Sequence, residues 1–158
     1  MPDRSTVHET FVIERTYDAP PARVFVALKD VEARLRWGTP NKTVAITFLE
    51  TDFRIGGRDV SRCGPVHRQD YLIDVRYQDI VDDERIVFVE TVSHGETRLA
   101  SALITVELLP HDTGTRLKLT DQIAAYEGAE MVNGSKAGWS GALDNLGVEL
   151  KRDAAANR

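Results

Sequence analysis

The chain has 158 residues, of which 42% are hydrophobic and 28% charged, and its formal net charge is −5. This composition is typical of a globular domain with a substantial core. It argues against a nucleic-acid-binding protein, which needs clustered Lys and Arg to contact phosphates. No apolar run is long enough to span a membrane, and the polar N-terminus lacks a signal-peptide core, so we expect a cytoplasmic protein. Cys63 is the only cysteine, which excludes disulfides within the chain.

The first part of the chain predicts one strand followed by two short helices. Residues 10–17 alternate in polarity as a strand does. Residues 19–28 contain two prolines ahead of an apolar helical face, which is typical of a helix start. Asp30 is placed to cap a second helix over 30–37.

The middle of the chain predicts a set of strands joined by turns. The predicted strands are 44–53, 58–64, 70–77, 85–92, 98–109 and 115–123. Gly56 and Gly57 predict a turn that requires positive φ. The acidic run 82–84 lies between two strands, which favours a solvated hairpin turn over paired catalytic carboxylates. Because one side of most strands is apolar and the other polar, we expect an antiparallel sheet with one buried face.

Residues 136–150 predict a long helix near the C-terminus, with Asn133 or Ser135 as its N-cap. Its apolar stripe consists of Trp139, Leu143, Leu146 and Leu150. Glycines interrupt this helix at a cost of ~1 kcal/mol each relative to alanine. Our hypothesis is that Gly138 and Gly141 provide space beside Trp139, or slack that lets the helix shift over a cavity.

One apolar sheet face and one long amphipathic helix must cover each other. The sequence therefore predicts an α+β, helix-grip fold, in which a curved antiparallel sheet of about six or seven strands wraps around the C-terminal helix. We expect one domain over 1–158, with 1–9 and 153–158 as loose ends. The strand at 58–64 is expected at an exposed sheet edge, which leaves a homodimer open as an alternative.

Several stretches in this order resemble the START-like (SRPBCC, helix-grip) superfamily. The branch they resemble contains the C-terminal domain of the activator of the large heat-shock ATPase chaperone. The matching stretches are "ERTYDAPPARVFVAL" (14–28), Trp37, "FRIGGRDV" (53–60), "VDDERIVFVET" (81–91), "ITVELLPHDTGTRLKLT" (104–120) and "GWSGALDNLGVEL" (138–150). The resemblance implies a cavity between sheet and helix that holds a small, largely apolar molecule. It does not imply chaperone activation, because only the one domain is present.

The sequence carries no catalytic or metal-binding motif. It has no G-x-S-x-G elbow, and its four histidines lie far apart along the chain. The spacing of Cys63 and His67 is not a recognised zinc spacing. We therefore predict no metal and no cofactor, and we favour a protein that is not an enzyme.

The candidate pocket residues come from alternation along the strands and from the aromatic side chains. Asp121 alternates with inward leucines, Glu90 shares a face with Phe88, and Arg58 and Arg62 flank Val60. The alternatives are that strand ends or bulges place the charges in solvent, and that the aromatic residues fill the core completely. The full set is Trp37, Phe48, Arg58, Val60, Arg62, Tyr71, Ile73, Phe88, Glu90, Ala102, Asp121, Trp139 and Leu143.

Three functions are consistent with these features. The leading one is binding of a small apolar or amphipathic ligand. The second is an enzyme of the polyketide cyclase or aromatase type, in which Asp121, Glu90 or Arg58 polarises a bound chain. The third is a chaperone-linked interaction module, which would present a contiguous exposed apolar patch.

Overall fold

The computed structural model describes residues 5–39 and 41–156, with side chains described through residue 152. Within these ranges it contains seven strands and three helices in the predicted order. The strands are β1 (Val7–Tyr17), β2 (Val44–Glu50), β3 (Arg58–Pro65), β4 (Tyr71–Val81), β5 (Arg85–His94), β6 (Thr97–His111) and β7 (Gly114–Ala125). The helices are α1 (Pro21–Lys29), α2 (Val31–Trp37) and α3 (Glu130–Ala156).

The strands form one antiparallel sheet in the order β1-β7-β6-β5-β4-β3-β2. Register shifts interrupt the ladders β2–β3, β4–β5 and β5–β6, and such bulges bend a sheet. The sheet is curved, and α3 packs on its concave face, so the predicted α+β architecture is confirmed.

The prediction that strand 58–64 lies at an edge is wrong. β3 pairs with β2 on one side and with β4 on the other, so β1 and β2 are the edge strands. The sequence identified the hairpin with β2 correctly, but the second neighbour of β3 depends on the topology of the whole sheet.

The chain ends are more ordered than expected. β1 begins at Val7, which is paired with Ala125 of β7, so residues 7–9 belong to the sheet. Residues 153–156 continue α3. The rest of the two predicted loose ends, apart from residues 5 and 6, lies outside the described residues.

The start of α3 also differs from the prediction. The helix begins at Glu130, and the amides of Val132 and Asn133 donate to the carbonyl of Ala129. Asn133 and Ser135 therefore lie inside the helix and do not cap it. None of the helices in the described ranges has the length and apolarity needed to cross a membrane.

The two short helices begin where their sequences indicate, and they are joined at Asp30. Asp30 caps α2, because its carboxylate accepts a hydrogen bond from the amide of Ala33 at 3.1 Å. Pro21 occupies the first turn of α1, where its missing N–H leaves no bond unmade. The indole of Trp37 donates to the carbonyl of Ala27 at 2.8 Å, which fixes α2 against α1.

Both turn predictions are confirmed in outline. Residues 82–84 form an exposed hairpin turn, in which Asp83 has a φ of 66°. Gly56 has a φ of 82°, as predicted. Gly57 is required for a different reason, since a Cβ there would lie 2.1 Å from the carbonyl oxygen of Asp52.

Candidate functional site

A cavity of about 360 Å³ lies between the concave face of the sheet and the N-terminal half of α3. Strands β2 to β5 supply most of its floor, and the end of α2 supplies one side. The predicted pocket residues that line it are Trp37, Phe48, Tyr71, Ile73, Phe88, Glu90, Trp139 and Leu143. Alternation along β4 places Tyr71, Ile73, Val75 and Tyr77 on the cavity side, as the sequence predicts.

A row of aromatic rings connects the core to this cavity. Phe53 contacts Phe25 and Tyr77 with ring centroids 5.8 and 4.9 Å away. Phe88 lies 6.1 Å from Tyr77 and 6.4 Å from Trp139. These tilted and edge-on contacts stabilise large apolar side chains, so they hold the aromatic residues of the cavity wall in place.

The inward face of β3 is opposite to the predicted one. Ser61 and Cys63 line the cavity, and alternation therefore directs Arg58, Val60 and Arg62 to the other face. Arg58 forms an ion pair with Asp74 at 2.6 Å, Arg62 is exposed, and Val60 is buried. The prediction places Val60, the one aliphatic residue of this strand, on the inward face. The rule behind it holds for a filled core and fails on β3, where Ser61 and Cys63 face the cavity.

A buried ion pair stands at one side of the cavity, and sequence reasoning missed it. Arg34 of α2 donates to Asp59 of β3 at 2.7 Å, and the Tyr77 hydroxyl donates to the same carboxylate. The Arg34 guanidinium also lies 4.7 Å from the centre of the Phe48 ring, within cation–π range. Asp59 alternates with Ser61, a polar pattern that could have indicated the inward face, but no sequence signal pairs it with Arg34.

Ala102 and Asp121 face the interior but do not line the cavity. Asp121 shares a face with Leu117 and Leu119, as predicted, and is only 1% exposed. Burial raises the pKa of Asp121 to about 6. Trp139 lowers this pKa in part, although neither carboxyl oxygen has a hydrogen-bond partner of normal geometry.

Among the described residues that line the cavity, Glu90 is the one acidic side chain. Burial and, as the smaller cause, the nearby Asp121 carboxylate together raise its pKa to about 7. Glu90 keeps part of its surface accessible, and it lines the cavity. Its carboxyl has no hydrogen-bond partner among the described residues, so it is a polar group available to whatever occupies the cavity.

Cys63 is a further polar residue of the cavity wall. Burial, together with the Glu90 carboxylate, raises the pKa of the Cys63 thiol to about 11. The thiol therefore stays protonated at neutral pH, which disfavours nucleophilic attack and metal binding, both of which need the thiolate. Across the described ranges, no three His, Cys, Asp or Glu side chains come together as a metal site.

Comparison with known proteins agrees with this fold. The protein Mll3558 from Rhizobium loti has 39% identity to the chain and a TM-score of 0.81, over 92% of this chain and 99% of that one. A protein from Rhizobium leguminosarum has 32% identity and a TM-score of 0.81, over 94% and 97%. Protein CV1439 from Chromobacterium violaceum has 24% identity and a TM-score of 0.78, over 89% and 96%, and shows the fold alone.

No curated protein matches the chain significantly. The family described as "Activator of Hsp90 ATPase homolog 1-like protein" matches residues 18–151, which is most of the chain. The START-like resemblance seen in the sequence is thereby confirmed, and the chain belongs to this activator-like family.

Proposed function

We propose that this protein binds a small apolar or amphipathic molecule in the cavity between the sheet and α3. The observation that carries the proposal is the cavity itself, whose volume of about 360 Å³ lies within the ~300–1,000 Å³ usual for small-molecule sites. Its wall is mostly aliphatic and aromatic, with a few polar groups such as Glu90 and Ser61. Such a wall suits a largely apolar ligand that carries one or two polar atoms.

The composition of α3 supports the same proposal. Gly134 and Gly138 line the cavity, and a Cβ at either position would meet no atom within 4 Å. Alanine would favour the helix by ~1 kcal/mol at each position, so both glycines lower stability while keeping the space open. Unfilled apolar space also lowers the stability of the folded protein. A ligand that fills this space would offset that loss.

The enzyme alternative receives less support from the geometry. Acid–base catalysis by two groups needs both within reach of the substrate. Glu90 lines the cavity, whereas Asp121 does not and has no hydrogen bond to Glu90. The site therefore favours holding a ligand over cyclisation by a carboxyl pair.

Native mass spectrometry of the purified protein tests the proposal. We expect a small molecule that remains bound in the native spectrum and is released on denaturation. Gly138→Leu would fill the cavity from α3 and should reduce the bound fraction at least tenfold. Ala137→Leu is the matched control, since Ala137 is the exposed neighbour on the same helix, and it should retain the molecule.

Two results would contradict the proposal. One is equal retention in the Gly138→Leu and Ala137→Leu variants, which would locate the molecule elsewhere. The other is a protein without any bound molecule that also fails to bind small naphthyl compounds added in solution.

A further inference from the structure

Within the proposed function, we infer that the ligand carries a protonated amine, which pairs with the Glu90 carboxylate inside the cavity. This inference depends on the cavity being a ligand site, and it names the chemical class of the ligand. It follows from the charges that enclose the cavity and from which of them have partners.

The positive charge at the cavity is already matched. Among the described residues that line the cavity, Arg34 is the only basic one. Its Nη2 binds Asp59 at 2.7 Å, and its Nη1 is buried without a hydrogen-bond partner. Asp59 also accepts hydrogen bonds from the Tyr77 hydroxyl and from the amide of Asp52. The charges of the guanidinium and this carboxylate cancel, so the pair attracts no ion strongly, and the unpartnered Nη1 remains a donor for an uncharged polar atom of a ligand.

The negative charge at the other side is unmatched. Glu90 has no hydrogen-bond or ion-pair partner among the described residues, and neither oxygen of the buried Asp121 has a hydrogen-bond partner of normal geometry. Buried carboxylates are costly without a partner. A cation placed at Glu90 would supply that partner, whereas an anionic ligand would be repelled by both groups.

The remaining groups around Glu90 supply no cation. Asp121 faces it from β7, and the Cys63 thiol faces it from β3. The described part of α3 contributes only uncharged side chains to the wall, among them Met131, Ser135 and Trp139. An ammonium group is therefore the chemistry that this part of the cavity lacks.

Three probes with the same apolar body test the inference by calorimetry at pH 8. They are naphthylethylamine, naphthylethanol and naphthylacetate, which are cationic, neutral and anionic. A charge-assisted hydrogen bond to Glu90 should make the amine bind roughly tenfold to a hundredfold more tightly than the alcohol. The acetate should bind most weakly of the three.

Glu90→Gln should remove the advantage of the amine over the alcohol, so that the affinities for these two probes come within about twofold of each other. Glu96→Gln is the matched control, because Glu96 lies exposed in the β5–β6 turn, and it should bind all three probes as the unmodified protein does. Between pH 6 and pH 8 the affinity for the amine should rise about tenfold as Glu90 ionises, with Asp121 acting in the same direction. The amine stays protonated throughout, and the affinity for the alcohol should not follow this rise.

The outcomes separate the two proposals. Equal binding of amine and alcohol, an equal loss of both in Glu90→Gln, or tightest binding of the acetate would overturn the inference and leave the binding function standing. Failure of all three probes to bind would overturn the binding function, and the inference with it.

Discussion

The two halves of α3 pack against the protein in different ways. In the C-terminal half, Leu146 and Leu150 are at most 5% exposed. In the N-terminal half, Gly134 and Gly138 face open space, and Trp139 is only partly buried. The stripe predicted from the sequence is continuous, yet one half of it closes a core and the other half covers a cavity.

Polar contacts hold α3 along both halves, and its N-terminal half is bound to β1 by an ion pair of 2.6 Å. The Tyr17 hydroxyl donates to the carbonyl of Leu143 at 2.6 Å. Arg36 of α2 binds the buried carboxylate of Glu149 with contacts of 2.6 to 3.0 Å. These bonds hold α3 against β1 and α2 in both halves, so the room for a ligand comes from the small residues of α3 that face the cavity.

Truncation of a buried leucine should give the largest difference between the halves. Leu146→Ala would leave a void in a region where the side chain is fully buried, with an expected loss of about 2–5 kcal/mol in the free energy of unfolding. Met131→Ala at the cavity wall would enlarge existing space, with an expected loss of about 1 kcal/mol. Urea unfolding of both variants measures the contrast. Equal losses would mean that the cavity half is packed as tightly as the closed half.

Removal of the charge at Glu90 should raise the free energy of unfolding, whereas the two truncations lower it. The folded-state pKa of Glu90, about 7, lies above its ordinary value of 4.5, so the folded protein holds this proton more tightly than the unfolded chain. Stability from this group is complete below about pH 4.5 and is lost as the pH rises to about 7. Glu90→Gln should therefore be more stable than the unmodified protein at pH 8, by roughly 1–3 kcal/mol, and similar to it near pH 4.5.

Urea unfolding at the two pH values, in protein without added ligand, measures this effect. Glu96→Gln provides the exposed control and should show no such change. A Glu90→Gln protein that is less stable at pH 8 would mean that the carboxylate has a stabilising partner in the folded state.

Removal of the Tyr17 hydroxyl should change the free energy of unfolding less than Leu146→Ala or Glu90→Gln does. Tyr17→Phe removes one buried hydrogen bond to α3, for an expected loss of about 1 kcal/mol. Tyr71→Phe is its counterpart at the cavity, where the hydroxyl has no hydrogen-bond partner among the described residues, and it should leave unfolding unchanged. A similar loss in both variants would place an unseen partner, such as an ordered water, at Tyr71.

The fold could be predicted because local patterns agree with it. Alternation of Tyr71, Ile73, Val75 and Tyr77 predicts the inward face of β4 correctly, since those side chains are large and apolar. The cap at Asp30 depends only on residues three positions apart. Such features are set within a few residues and need no knowledge of the neighbouring strands.

The cavity could be predicted only in part, because the rule that apolar residues face inward assumes a filled core. On β3 this rule selects Val60, whereas Ser61 and Cys63 line the cavity. The pairing of Arg34 with Asp59 joins residues 25 positions apart, and only the packing of α2 on the sheet brings them together. Polar residues that alternate along one face of a strand therefore indicate a cavity wall. The choice of Val60 as inward places Ser61 and Cys63 on the wrong face.

The smallest expected effect comes from two glycines on the same helix. Gly138→Ala adds a Cβ that meets no atom within 4 Å, so the gain in helix propensity of ~1 kcal/mol should appear in full. At Gly147 the new Cβ would lie 3.3 Å from the ring of Tyr17. The hydrogen bond of Tyr17 to Leu143 restrains that ring, so Gly147→Ala should give no gain in the free energy of unfolding. Equal gains in the free energy of unfolding at both positions would show that the closed half also has space for an added Cβ. The two halves of α3 would then differ only in the presence of the cavity.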